Sequence, residues 1–250
     1  MADTAHDQDR ILFQYRFVFE DIEEQSFTIE LDKSTLALLN VPPDEPADWT
    51  RLDMYQCQSC TLNTTTYQYC PVAVNMMHLM SVLEKIISFK PVEVIVKTGN
   101  RTHIMKSSVQ VAAGSLMGIY MVTSGCPVMD KMRPMVETHM PMYTWRETLY
   151  RTCSMYLFSQ YFLWKNGHEP RWDLSNLTDY YKNVKEVDKS FAKRLRAIPN
   201  LEMDSPSNAV ALLYNLSETI EDFILHGDAL KHWENLFLTH WGPLSPGEST

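Results

Sequence analysis

ILFQYRFVF at residues 11–19, followed by SFTIEL at 26–31, decides the fold class. Phe13, Tyr15, Phe17 and Phe19 stand in step, with Gln14 and Arg16 between them. Phe27, Ile29 and Leu31 repeat the alternation after the acidic turn Glu20 to Gln25. Period-two patterning of aromatic and β-branched residues marks half-buried strands, so the two runs predict an antiparallel hairpin. Working outward, VPPDEP at 41–46 is a breaker that ends this unit. A cysteine-bearing loop covers residues 55–70, and Pro71 opens an apolar helical run to about Phe89. PVEVIVK at 91–97 then turns through Gly99-Asn100 into Arg101 to Ser107, which predicts a second hairpin.

From Ser108 the pattern becomes helical. Val109 to Thr123, Pro127 to His139, Trp145 to Trp164, Leu177 to Ala197 and Ser207 to Leu238 are the expected helices. Pro134 is expected to kink or interrupt the second. Asp204 or Ser205 is expected to cap the last, which His226-Gly227-Asp228 should split in two. The tail 242–250 reads as frayed. Strands early and helices late predict one α+β domain over 1–250, strand-rich at 10–107 and helical at 108–240. The antiparallel hairpins are expected to pack on the helical half.

The chain has 250 residues, 45% of them apolar and 21% charged, which is globular composition. Its net charge of −9 sits in residues 1–60, where 13 acids face 4 bases; the remainder balances. Clustered Lys and Arg are what phosphate contacts require, so nucleic acid is not an expected partner. The apolar run 109–122 is too short to span a bilayer and contains Gln110, Ser115 and two glycines. Residues 1–10 hold three aspartates and no apolar core of a leader, so a cytoplasmic location is expected.

Five cysteines are present: Cys57, Cys60, Cys70, Cys126 and Cys153. Cys57 and Cys60 form a C-x2-C pair. Cys70 and Cys126 each precede Pro-Val and a helical run. Proline is favoured at the first helical position, so each of these two cysteines is expected near a helix N-terminus. Backbone N–H groups there stabilise a thiolate, the form that binds metal. Cys57, Cys60, Cys70 and Cys126 are therefore the expected ligands of a metal site, either zinc or an iron–sulfur cluster. The competing readings are a redox dithiol at Cys57/Cys60, which would make the protein a redox enzyme or a thiol–disulfide sensor, and plain burial. Cys153 lies in an apolar helix and reads as core.

Arg133 and His139 are secondary candidates, either beside the thiolates or, for His139, as a substitute ligand. The blander readings are an i,i+4 ion pair of Arg133 with Glu137 and a capping histidine. Met129, Met132 and Met135 share a face; they read as core filler rather than as copper ligands. Tyr150, Leu157, Tyr161 and Trp164 form an aromatic stripe on the helix at 145–164. It reads as core, with a protein partner or a second copy as the alternative. No G-x-S-x-G, Walker A or G-x-G-x-x-G motif occurs.

QCQSC-x9-CPVAVN, SGCPVMDKMRPMVETHMP and ETLYRTCSMYLFSQYF together resemble an uncharacterised bacterial protein family of unknown function. The resemblance covers most of residues 10–170. It implies a bacterial cytosolic protein and brings no activity or catalytic residue. A regulatory, accessory or interaction role is expected.

Overall fold

Strand β1 (Arg10–Val18) pairs antiparallel with β2 (Gln25–Asp32), Phe13 opposite Ile29 and Tyr15 opposite Phe27. This comes from a computed structural model that describes residues 9–41, 45–199 and 203–242. Strand β3 (Pro91–Thr98) turns through Gly99, at φ 52°, into β4 (Arg101–Ser108). A positive φ costs glycine little, which is why the reversal sits there. The two hairpins join because β3 pairs antiparallel with the other edge of β1. The result is one four-stranded sheet in the order β2-β1-β3-β4. The in-step residues Phe13, Tyr15, Phe17, Ile29 and Val94 are all buried on one face.

That face is covered by helices. The run from Pro71 divides into α1 (Pro71–Asn75) and α2 (Met77–Leu83) at Met76, and is shorter than expected. The Asn75 side chain donates to the Pro71 carbonyl at 2.8 Å, a local bond that competes with helix propagation. Helix α3 (Val109–Thr123) is apolar and buried around most of its circumference, as befits a central helix. At Gly114 it passes α6, where an added Cβ would lie 3.8 Å from the Ala209 carbonyl oxygen.

The expected α-helix over 127–139 is instead a run of 3-10 turns, Met129–Thr138, with Pro134 inside it. Proline lacks the N–H and crowds the preceding turn, so an α-helix cannot run through undisturbed. Helix α4 (Trp145–Lys165) starts at a capping box, with Thr144 and Glu147 bonding reciprocally. Helices α5 (Ser175–Arg196), α6 (Ser205–His226) and α7 (Asp228–Trp241) follow, and Gly227 at φ 72° separates the last two. Asp204 occupies the N-cap position, but its carboxylate accepts from the Ser88 N–H at 2.9 Å and hydroxyl at 2.7 Å. It ties α6 to the segment before β3 rather than capping its own helix. One buried apolar cluster runs from the sheet through α3 to α4, α5 and α6. The tail expected to fray beyond 242, Pro42 to Asp44 of the breaker, Asn200 and the acidic residues before Asp9 lie outside the described residues.

Helix α4 is rotated away from the expected stripe. Tyr150, Leu157, Tyr161 and Trp164 are exposed, while Leu149, Thr152, Cys153, Tyr156 and Gln160 are buried. Hydrogen bonds set the rotation. Thr152 meets the Tyr181 hydroxyl at 2.8 Å, Tyr156 donates to the Arg171 carbonyl at 2.8 Å, and Gln160 accepts from the Arg171 N–H at 2.9 Å. Buried polar groups need partners, and α5 together with the loop before it supplies them.

Candidate functional site

The cysteine loop is closed at its neck. The Cys70 N–H donates to the Thr50 carbonyl at 2.7 Å and the Leu52 N–H to the Gln68 carbonyl at 2.9 Å, so residues 50–52 and 68–70 run side by side. Within the loop, the Cys60 N–H donates to the Cys57 carbonyl at 3.0 Å, the tight turn that C-x2-C allows. Arg194 of α5 holds the neck from behind. Its guanidinium donates to the carbonyls of Trp49 at 3.1 Å, Leu52 at 3.2 Å and Arg51. Arg194 is 1% exposed, so these three carbonyls are what compensate its burial.

Cys70 stands at the N-cap position of α1, with Pro71 at the first helical position. Cys126 precedes Pro127, and its sulfur accepts from the N–H groups of Val128 and Met129. The Cys70 segment takes the expected local geometry, whereas Pro127 and Val128 form a turn and the 3-10 run starts at Met129, so Cys126 stands two residues before that run's N-cap. Cys126 arrives at the end of α3, near the loop. The Cys57 thiol feels Cys70, Cys126 and Cys60 as electrostatic neighbours, and Cys126 feels Cys70 and Cys60. Four cysteines from three separate stretches thus lie within electrostatic range of one another. Burial pushes the Cys57 thiol up to about 11, against a hydrogen bond with Ser190 of α5. Burial also raises the Cys126 thiol. All five cysteines are free, and Cys153 is buried in the core as expected. Among the described residues no three His, Cys, Asp or Glu side chains are grouped as an ion would need.

Neither secondary candidate has a cysteine among its partners. Arg133 pairs with Asp130 and donates to the Thr35 carbonyl at 3.3 Å, so the expected ion pair with Glu137 is replaced by an i,i+3 pair. The 3-10 run explains the change: at three residues per turn, i and i+3 eclipse. His139 faces the sheet. Its Nε2 lies 2.6 Å from the Tyr15 hydroxyl, and its ring stands edge-on to Phe13 at 5.4 Å. Tyr15 also meets Ser115 at 3.2 Å. Burial, with Arg151 and His103 nearby, holds His139 down to about 3, so it is neutral at physiological pH.

Two polar residues that sequence reasoning passed over are buried on α5. Asp188 is 1% exposed and accepts from the Ser217 hydroxyl at 3.3 Å. Burial raises its carboxyl to about 7. Arg194 is the other. A signal for both was present: they interrupt the apolar stripe Tyr181, Val184, Phe191 and Leu195, on a different face from Lys182, Lys185 and Lys189.

A family model described as a domain of unknown function, DUF6901, matches residues 13–238. No curated protein and no solved structure matches the chain. No helix among the described residues is long and apolar enough to cross a membrane.

Proposed function

The chain belongs to the DUF6901 family, a domain of unknown function, and from that premise we propose that Cys57, Cys60, Cys70 and Cys126 together bind one zinc ion. The ion fastens the loop at 55–70 to the helical half of the molecule. The observation that carries this reading is the convergence of four cysteines from three separate stretches on one electrostatic neighbourhood. Zinc takes four thiolates tetrahedrally, and C-x2-C is a usual half of such a site. Before loading, the thiols are neighbours and no more, since nothing offsets the repulsion of four thiolates drawn together. The ion supplies that charge and closes the group. Binding then contributes to folding free energy, because the unfolded chain has no preformed site.

Four thiolates leave zinc no open position for a substrate or an activated water. The centre is accordingly structural, and the protein's role is regulatory, accessory or interaction-based, presenting a surface rather than turning over a substrate. A redox dithiol at Cys57/Cys60 would need a thiol poised to ionise, and burial moves Cys57 the other way.

Metal analysis of anaerobically purified full-length protein tests the proposal. One zinc per chain is expected, with a colourless solution. Cys126→Ser should lose most of the zinc and melt at lower temperature than the wild type. Visible charge-transfer absorbance would replace zinc with an iron–sulfur cluster on the same ligands. A metal-free chain whose melting is indifferent to both zinc and chelator would overturn the reading.

A further inference from the structure

Arg151 is a cation that makes no direct ion pair among the described residues; Glu147 acts on it only at longer range. It leaves the second turn of α4, and its Nη2 donates to the Met135 carbonyl at 2.8 Å. Its guanidinium lies over the Tyr143 ring, 5.2 Å from the centroid. The buried Nε–H has no acceptor, and among the described residues no ion pair includes Arg151. Glu147, one turn earlier, is committed to the cap at Thr144. Burial can neutralise a thiol or an imidazole, but a guanidinium remains charged at neutral pH. A partly buried guanidinium with unused donors therefore calls for an acceptor from outside the chain.

Two spaces adjoin it. One is a cavity of about 100 Å³ between α3, the 3-10 run and α5. The other is an open groove of about 1190 Å³ along α4. Arg151, Met132 and Met135 line both, so the cation stands where groove and cavity meet. Met140, Met155, Phe158, Phe162 and Leu163 continue the groove away from it. Thioether and aromatic walls adapt to a flexible hydrocarbon chain. Lys131 and Glu137 also line the groove and offset one another in charge, so Arg151 is the cation where groove and cavity meet. The largely apolar channel is complementary to an amphiphile with one anionic head.

We propose that the groove binds an amphipathic monocarboxylate of the fatty-acid type. Its carboxylate accepts from the terminal N–H groups of the Arg151 guanidinium, and its chain lies along Met155, Phe158 and Phe162. No cysteine lines the groove, and carboxylate binding there does not depend on the cysteines' metal. Nor does it rest on bulk attraction, because a chain of net charge −9 repels anions in general.

Calorimetric titration of the full-length protein with decanoate, and with decanol as the uncharged control, tests the assignment. Decanoate should bind saturably at one site, at least about tenfold more tightly than decanol, the scale of a charge-assisted hydrogen bond. Arg151→Met should bring decanoate down to the level of decanol. Should that variant fail to fold, Phe158→Glu carries the same test. Phe158 is 61% exposed, so the variant folds, and its new charge should weaken decanoate more than decanol. Equal binding of the two ligands, or decanoate binding unchanged in the variant tested, would overturn the proposal. So would absence of saturable binding, or self-association that closes the groove to decanoate.

Discussion

Arg194 and Arg151 are both drawn out of water, and the molecule treats them in opposite ways. Arg194, behind the cysteine loop, is almost fully buried and spends its donors on three backbone carbonyls. Arg151, at the end of the groove, has one carbonyl and a buried N–H with no acceptor. The comparison separates two uses of a buried charge. Where every donor is matched by the protein itself, the cation locks two segments together. Where donors are left over, it is held ready for something the chain does not contain.

Removing each arginine gives the sharpest test of this contrast. Arg194→Met removes the donor to the Trp49 and Leu52 carbonyls, while the Arg51 carbonyl keeps the Met54 N–H, and should cost about 3 kcal/mol in denaturant unfolding. It should also weaken zinc retention, because the neck of the loop is no longer held. Arg151→Met removes an unpaired charge and puts an apolar chain in its place, so its stability should stay within about 1 kcal/mol of wild type. Comparable losses in the two variants would erase the distinction.

Between these effects falls Asp188→Asn. The Asp188 carboxyl sits at about 7 in the folded chain, against an ordinary value of 3.8. Between those values the folded state binds the proton and the unfolded state does not, so stability falls as pH rises from about 4 to about 7. The ceiling on that fall is on the order of 4 kcal/mol. Tyr180, beside Asp188, keeps its proton across this range. Asp188→Asn should flatten the slope, read as denaturation midpoints at pH 5 and pH 8; an identical slope in both proteins would clear Asp188 of the effect. His139 acts with the opposite sign. Its folded value of about 3 lies below the usual 6.5, so it withdraws stability as pH drops below 6.5. That acid limb should survive in the variant.

The strands were legible in the sequence because each carries its own pattern. Phe13, Tyr15 and Phe17 alternate with polar neighbours, and Gly99-Asn100 marks a reversal whatever else the chain does. The cysteine candidates were legible for a similar reason: C-x2-C and the two Cys-Pro-Val segments are local signals, and the Cys70 geometry at the start of α1 is local too. The region 127–139 misleads because its helical spacing is equally compatible with 3-10 turns, and Pro134 tips the choice. In α4 the count of aromatics pointed to the wrong side. Thr152, Tyr156 and Gln160 fix the buried face through Tyr181 and Arg171, partners outside the helix.

The primary structure alone settled the element order, the α+β class and the identity of the thiols worth watching, since periodicity and capping act over a few residues. It left open how each buried charge is compensated. Arg194 is answered by carbonyls more than 140 positions earlier in the chain, whereas Arg151, with similar chemistry on a neighbouring helix, is not answered in full. Hydrogen-bond partners must lie within about 3 Å, and only the folded chain determines which distant groups come that close.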